Sequence, residues 1–312
     1  MDAPSGYEIR APRRDETARI ADVLIAMDVK AYGSPDTDEN DIIDDWAYEG
    51  FDIDTDAWVV ARGDEIVGYA GVFKKIPGHV LEAYGGVHPD HEGRGIGRRL
   101  LERLQARAAA YLDEANSDEV TLQSYALGTD ERAKDLHRAL GFRIVRIDWS
   151  MSIDLTTALE AFPLPDGITV RRFQEGDEHD VHEVMEAAFV DHWQFSPTPY
   201  EIWHERAVAT DTFDPELWLL AFDGERLVGA ALNAERAGRG FVNDLGVLRE
   251  ARKRGLAAHL LYRSFELFKA RGHQEVALFV DSENPTGATR LYERVGMRVA
   301  RRYELYGKEI RR

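Results

Sequence analysis

Short runs of alternating apolar and polar residues give way along this chain to longer runs with apolar residues every third or fourth position. That succession occurs twice. Trp58-Val59-Val60-Ala61 opens one copy and Trp218-Leu219-Leu220-Ala221 the other, 160 positions later. A turn and a second run follow each, Gly63-Asp64-Glu65-Ile66-Val67-Gly68 and Asp223-Gly224-Glu225-Arg226-Leu227-Val228-Gly229. Alternation around Asp/Gly turns predicts two β-hairpins. Helical spacing comes next, marked by Leu100, Leu101 and Leu104 in one copy and by Leu260, Leu261, Phe265 and Phe268 in the other. Strands are predicted at Val120-Thr121-Leu122 and Val276-Ala277-Leu278-Phe279-Val280. Short helices then end at Leu140-Gly141-Phe142 and Val295-Gly296-Met297, where glycine suits a helix C-cap.

Landmarks that stay in register for this long indicate duplication. Phe162-Pro163-Leu164-Pro165-Asp166-Gly167 breaks regular structure, and Ile168-Thr169-Val170-Arg171-Arg172 restarts the pattern of Tyr7-Glu8-Ile9-Arg10. The expected domains are residues 1–156 and 166–312, each mixed α/β, and 312 residues suffice for two domains of about 150. The acid-rich stretch from Asp36 to Asp45 reads as a solvated loop or helix face.

Composition removes several function classes. The chain lacks cysteine, which excludes disulfides, thiolate nucleophiles and Cys-ligated zinc. Its net charge is −18, from 39 Lys and Arg against 57 Asp and Glu, which argues against nucleic-acid or membrane partners. No apolar run approaches a membrane span and no signal peptide is visible, so a cytoplasmic location is expected. His179 and His182 lack a third ligand at metal spacing and read as surface residues.

Candidate chemistry lies where each predicted helix begins. Arg252, Lys253, Arg254, Gly255, Leu256 and Ala257 form one loop; Glu92, Gly93, Arg94, Gly95, Ile96 and Gly97 form the other. A glycine-bearing loop that opens a helix offers backbone N–H groups and a positive dipole end to a pyrophosphate. In so acidic a chain, an anionic cofactor has to be held by such local dipoles and a few arginines.

The order hairpin, strand, R-x-x-G-x-A loop, helix, strand, N-x-x-x-A-x-x-x-Y helix resembles the GNAT superfamily of acyl-CoA-dependent N-acyltransferases. The resemblance covers most of both halves and is strongest from Asn243 to Met297, where Asn284, Ala288 and Tyr292 hold the family's spacing. The layout is similar to that of tandem acetyltransferases such as mycothiol synthase, whose C-terminal domain generally carries catalysis. The first half departs from the pattern, with Glu92 opening its loop, Thr129 where Asn284 stands and His137 where Tyr292 stands.

The resemblance implies acetyl-CoA as co-substrate, no metal, and direct attack of an amine on the thioester. Arg252, Lys253, Arg254, Gly255, Leu256, Ala257 and Ala258 would bind the pyrophosphate. Leu245, Gly246 and Val247 would pair with the pantetheine arm through their backbone, and Asn284 would bind its amide or cap the helix that follows Pro285. Tyr292 is the candidate general acid, with packing on an amphipathic helix as the alternative. Asp244 is the candidate base, with a hydrated strand-edge carboxylate as the alternative. In the first half Gly86, Val87, Gly93, Arg94, Gly95, Ile96, Gly97 and Arg98 match the cofactor positions.

Asp191-His192-Trp193-Gln194-Phe195 and Tyr200 to His204 mix aromatic and polar groups, as an acceptor wall does and as a packed helix does equally. The expected activity is acetyl transfer to the primary amine of a small molecule in the C-terminal domain. A non-catalytic acyl-CoA sensor or scaffold is the alternative. Neither the acceptor nor the oligomeric state follows from the residues.

Overall fold

The computed structural model describes residues 3–76, 78–210 and 212–312. Its first half runs β1 (Glu8–Arg10), α1 (Thr17–Tyr32), α2 (Glu39–Trp46), α3 (Ile53–Asp56), β2 (Ala57–Arg62), β3 (Glu65–Ile76) and β4 (Val80–Val87). It continues with α4 (Ile96–Glu114), β5 (Glu119–Leu127), α5 (Glu131–Ala139) and β6 (Arg143–Asp154). The second half repeats the order as β7 (Ile168–Arg172), α6 (Glu178–Phe189), α7 (Tyr200–Ala207), β8 (Leu219–Asp223), β9 (Arg226–Arg236) and β10 (Arg239–Val247). It closes with α8 (Leu256–Ala270), β11 (Glu275–Asp281), α9 (Ala288–Arg294) and β12 (Arg298–Arg311). The expected hairpins, helices and strands are all present.

The chain packs as two compact units that do not follow chain order: residues up to Ile147 together with Arg302–Arg312, and Asp148–Arg301. The first unit orders its strands β1-β2-β3-β4-β5-β12, with β4 and β5 parallel and every other pair antiparallel. The second orders them β7-β8-β9-β10-β11-β6, with β10 and β11 parallel. Each sheet is therefore completed by the strand that the other half of the sequence contributes. Tyr303 to Arg311 lie antiparallel along Leu127 to Glu119 of β5, and Asp148 to Asp154 lie along Asp281 to Glu275 of β11.

Packing fixes those exchanges. Leu305 and Tyr306 are fully buried, and Tyr306 joins the core formed by Leu100, Leu101, Leu104 and Leu122 under α4. Met151 joins Phe265, Phe268 and Leu278 under α8. Burial of such side chains removes apolar surface from water at about 25 cal/mol per Å², and the antiparallel ladders satisfy the backbone that goes with them.

The acidic stretch after α1 differs from its solvated reading. Asp36 is 4% exposed and accepts a hydrogen bond from the Tyr303 hydroxyl. Asp45 accepts one from Tyr84. Tyrosine hydroxyls, which sequence charge patterns do not report, draw these carboxylates inward. Asp38 instead caps α2, its side chain accepting from the Asn40 N–H at 2.8 Å.

Candidate active site

The opening that could admit a ligand is made by two parallel strands that part company. The β10–β11 ladder holds only Gly240 with Val276 and Phe241 with Ala277. On its other side β10 stays paired with β9 to its end, but the register shifts between Val242 and Asp244. Asn243 is the extra residue of a β-bulge, a device that bends one strand away from its neighbour. Leu245, Gly246 and Val247 keep β9 partners (Ala231, Ala230 and Gly229) and have lost β11. Half the backbone groups of such a segment face the gap and offer hydrogen bonds to an extended guest.

Past Val247 the chain makes a 3₁₀ turn over Arg249–Ala251 and enters α8 through the loop identified in the sequence. Lys253 has φ 63° and Gly255 φ 90°. A left-handed backbone at position 255 favours glycine, and a Cβ built there would meet nothing within 4 Å. No side chain among the described residues caps α8, so its first N–H groups remain available to an anion. Leu256 and Ala258 are each 2% exposed and anchor the helix start in the core. Only their backbone is placed to serve a ligand.

The arginines of the loop do other work. Arg252 donates from Nε to the Val247 carbonyl at 2.9 Å and from Nη2 to the Ala188 carbonyl at 2.9 Å. Arg254 donates to the Asp166 carbonyl at 2.8 Å and sits 3.4 Å from the Asp223 carboxylate. Both side chains hold protein. The geometry of the cradle thus suits a pyrophosphate through N–H groups rather than guanidinium forks.

Tyr292 lies on α9, 9% exposed, among Val280, Val295 and Leu278. Burial foremost, and then the charge of Asp244, push its phenol up to about 12. Asp244, adjacent to the bulge and half-buried, has its carboxyl pushed up to about 6 by dehydration. The Asp244 charge is thus felt at the Tyr292 phenol. Asn284 is used locally: its Oδ1 accepts from the Thr286 N–H at 2.9 Å and from the Thr286 hydroxyl at 2.5 Å. It shapes the turn before α9, and Gly287 (φ 79°) is the N-cap, so the helix begins three residues after Pro285.

The first unit keeps the loop geometry and differs in the side chains around it. Gly93 (φ 75°) and Gly95 (φ 83°) reproduce the left-handed positions of Lys253 and Gly255, and α4 likewise lacks a side-chain cap among the described residues. Ile96 is buried in the core, Arg94 donates to the Tyr7 hydroxyl at 3.0 Å, and Arg98 lies 4.0 Å from Glu102. Gly86 and Val87 pair with Tyr69 and Gly68, and the β3–β4 ladder runs without a bulge through Ala83, Tyr84 and Gly85. Tyr84, 160 positions before Asp244, is bonded to Asp45. His137, at the place of Tyr292, bonds the Ala133 carbonyl at 2.7 Å and Ser124 Oγ at 3.1 Å, and stacks on Tyr306 at 4.8 Å. Burial lowers its pKa.

The segment after α6 lies beside the second cradle. Asp191 accepts two hydrogen bonds from Arg249, at 2.7 and 2.9 Å, and its carboxylate lies 3.7 Å from Arg252. Burial, and then Arg252, lower the pKa of His192, whose ring meets Phe189 at 4.4 Å. Tyr200 of α7 instead stacks on His179 of α6 at 3.6 Å, and His182 bonds the Thr198 carbonyl at 2.8 Å. Among the described residues no His, Cys, Asp and Glu cluster has the arrangement of a metal site. No helix among them is long and apolar enough to cross a membrane.

Comparison with known proteins identifies the family. The GNAT acetyltransferase domain model matches residues 54–144, and the GNAT acetyltransferase family model matches residues 179–297. The mycothiol acetyltransferase of Thermobispora bispora is 34% identical over 75% of this chain and 77% of its own. That of Beutenbergia cavernae is 32% identical over 78% and 80%. A GCN5-related N-acetyltransferase from Sphaerobacter thermophilus superposes with a TM-score of 0.81 at 36% identity, covering 99% of this chain and 97% of that one. A tandem GNAT protein from the clavulanic acid biosynthesis pathway, 16% identical with a TM-score of 0.72 over 97% and 98%, shares the fold. The chain belongs to the GNAT acetyltransferase family. It is an acyl-CoA-dependent N-acetyltransferase with two GNAT domains.

Proposed function

We propose that the second unit transfers an acetyl group from acetyl-CoA to the primary amine of a small molecule. The observation that carries this reading is the bulged, splayed end of β10 leading into an α8 start with no side-chain cap, with the buried Tyr292 phenol within reach of the Asp244 charge. The N–H groups from Arg252 to Ala258 hold the pyrophosphate, and the backbone of Leu245, Gly246 and Val247 aligns the thioester. Asp244 takes the proton of the incoming amine, directly or through water, and Tyr292 protonates the departing thiolate. A phenol held near 12 keeps its proton at neutral pH, so it stands ready to hydrogen-bond the departing sulfur and to pass it that proton as the charge develops.

The first unit serves as an acetyl-CoA-binding domain without turnover. Its cradle supports binding, while Tyr84 and His137 are already engaged with Asp45, Ala133 and Ser124. The name of the curated relatives puts mycothiol precursors first among acceptors to test.

The test is thiol release from acetyl-CoA across an amine panel: mycothiol precursors, aminoglycosides, polyamines and amino acids. Turnover with one class supports the reading. Calorimetric binding of acetyl-CoA with no turnover on any amine would favour a sensor, and absence of binding would exclude both.

A further inference from the structure

Helix α1 ends conventionally. Gly33 (φ 82°) is its left-handed cap, donating to the Val29 carbonyl at 2.9 Å, and Lys30 places a cation in the last turn. Its counterpart α6 has neither device. The last turn of α6 carries no basic residue, and its C-cap is Val190 in a right-handed conformation. The last four carbonyls of a helix lack partners within it. One of these, Ala188, is taken by Arg252, which belongs to the cofactor loop 64 positions away. The same guanidinium holds Val247, the last residue of β10, and lies beside Asp191. Arg249 from the same turn fixes Asp191 with two further bonds. In the first unit the corresponding loop residue is Glu92, which receives Lys30 at 2.6 and 2.7 Å. There the loop touches a helix side chain, and the helix end closes on its own glycine.

We propose that Arg252 is a positioning residue: it supplies the missing C-cap of α6 and couples the cofactor loop to the acceptor-side segment 188–195. This rests on the reading of the second unit as the acetyl-CoA site. Arg252 is three-quarters shielded, and its two carbonyl bonds tie the end of β10 to the end of α6. Ordering the loop with acetyl-CoA fixes the guanidinium, and the guanidinium fixes the end of α6 and the chain that carries Asp191 and His192. Lysine cannot replace it, because one ammonium does not span two carbonyls as a planar fork does.

Hydrogen exchange on the full chain, with and without acetyl-CoA, tests the coupling. In the unaltered protein acetyl-CoA should slow exchange at 245–258, and at 188–195 by about tenfold or more. In Arg252→Gln the first region should still respond while 188–195 does not. Arg252→Lys, which keeps the cation, should give the same split and stands in if the Gln variant does not fold. Equal protection of 188–195 in unaltered and variant proteins would overturn the proposal. So would loss of protection in both regions in a folded variant, which would make Arg252 a cofactor ligand. No protection at 245–258 in the unaltered protein would instead refute the underlying cofactor assignment, and the coupling with it.

Discussion

Asp244 on β10 and Tyr292 on α9 lie within electrostatic reach of each other, and the carboxylate charge adds to burial in holding the phenolic proton. A carboxylate beside a tyrosine that must stay protonated is a workable division of labour. In the proposed reaction one group takes a proton from the amine, and the other keeps one to give to the thiolate.

In the proposed reaction Asp244 sets the acid side of the pH profile. With its carboxyl pushed up to about 6, kcat/KM should rise through about pH 6 as the base ionises. Asp244→Asn should lower kcat by about 10²-fold or more and abolish that limb. An unchanged profile in the variant would remove Asp244 from the chemistry.

The same shift has a stability consequence. The folded-state value lies above the unfolded value of 3.8, so the folded chain binds the proton more tightly. The resulting stabilisation is complete below about pH 3.8 and is lost as pH rises through about 6. Above that range the ionised carboxylate costs stability. Partial solvent contact reduces the full linkage value of about 3 kcal/mol to about 1–2 kcal/mol. Denaturant titration of Asp244→Asn at pH 7.5 should show a gain of that size, and a loss would contradict the dehydration account.

Gly255 gives a sharper test of the cradle than any arginine in it. A Cβ there has open space but φ is 90°, so Gly255→Ala should cost about 1–2 kcal/mol and distort the helix entry. The dissociation constant for acetyl-CoA at the second unit, read by calorimetry, should rise by about tenfold. Unaltered affinity would place the pyrophosphate elsewhere.

The exchanged strand predicts an unusual truncation phenotype. Deleting 302–312 removes Leu305 and Tyr306, both fully buried, from the first unit. At about 1.5–3 kcal/mol each, the loss is about 3–6 kcal/mol, or about 10 °C in melting temperature. Hydrogen exchange should rise at 119–127 and stay low at 275–281, although the deletion lies next to the second half in sequence. The opposite pattern would contradict the strand order.

What the sequence made legible was whatever repeats. Trp58 and Trp218, the two loops, and the glycines after each short helix are local patterns written twice, and duplication makes local patterns credible. The exchange of β6 and β12 was not legible, because alternation in Leu305-Tyr306 or Met151 says that a strand is buried without saying which sheet it completes. The bulge at Asn243 has no residue signature of its own. Arg252 reads as an anion ligand in any glycine loop, and only the fold brings it to the carbonyls of Val247 and Ala188. Asp36 and Asp45 looked solvated because the tyrosines that hold them, Tyr303 and Tyr84, are distant in sequence.

Tyr292 of the second unit is the proposed acid of acetyl transfer. The most direct measurement of that role is thiol release by Tyr292→Phe with whichever amine the unaltered protein accepts, alongside calorimetric affinity for acetyl-CoA. Loss of a general acid should lower kcat by about 10²-fold or more while acetyl-CoA affinity changes less than about twofold. Full turnover by Tyr292→Phe across pH 6 to 9 would contradict the account.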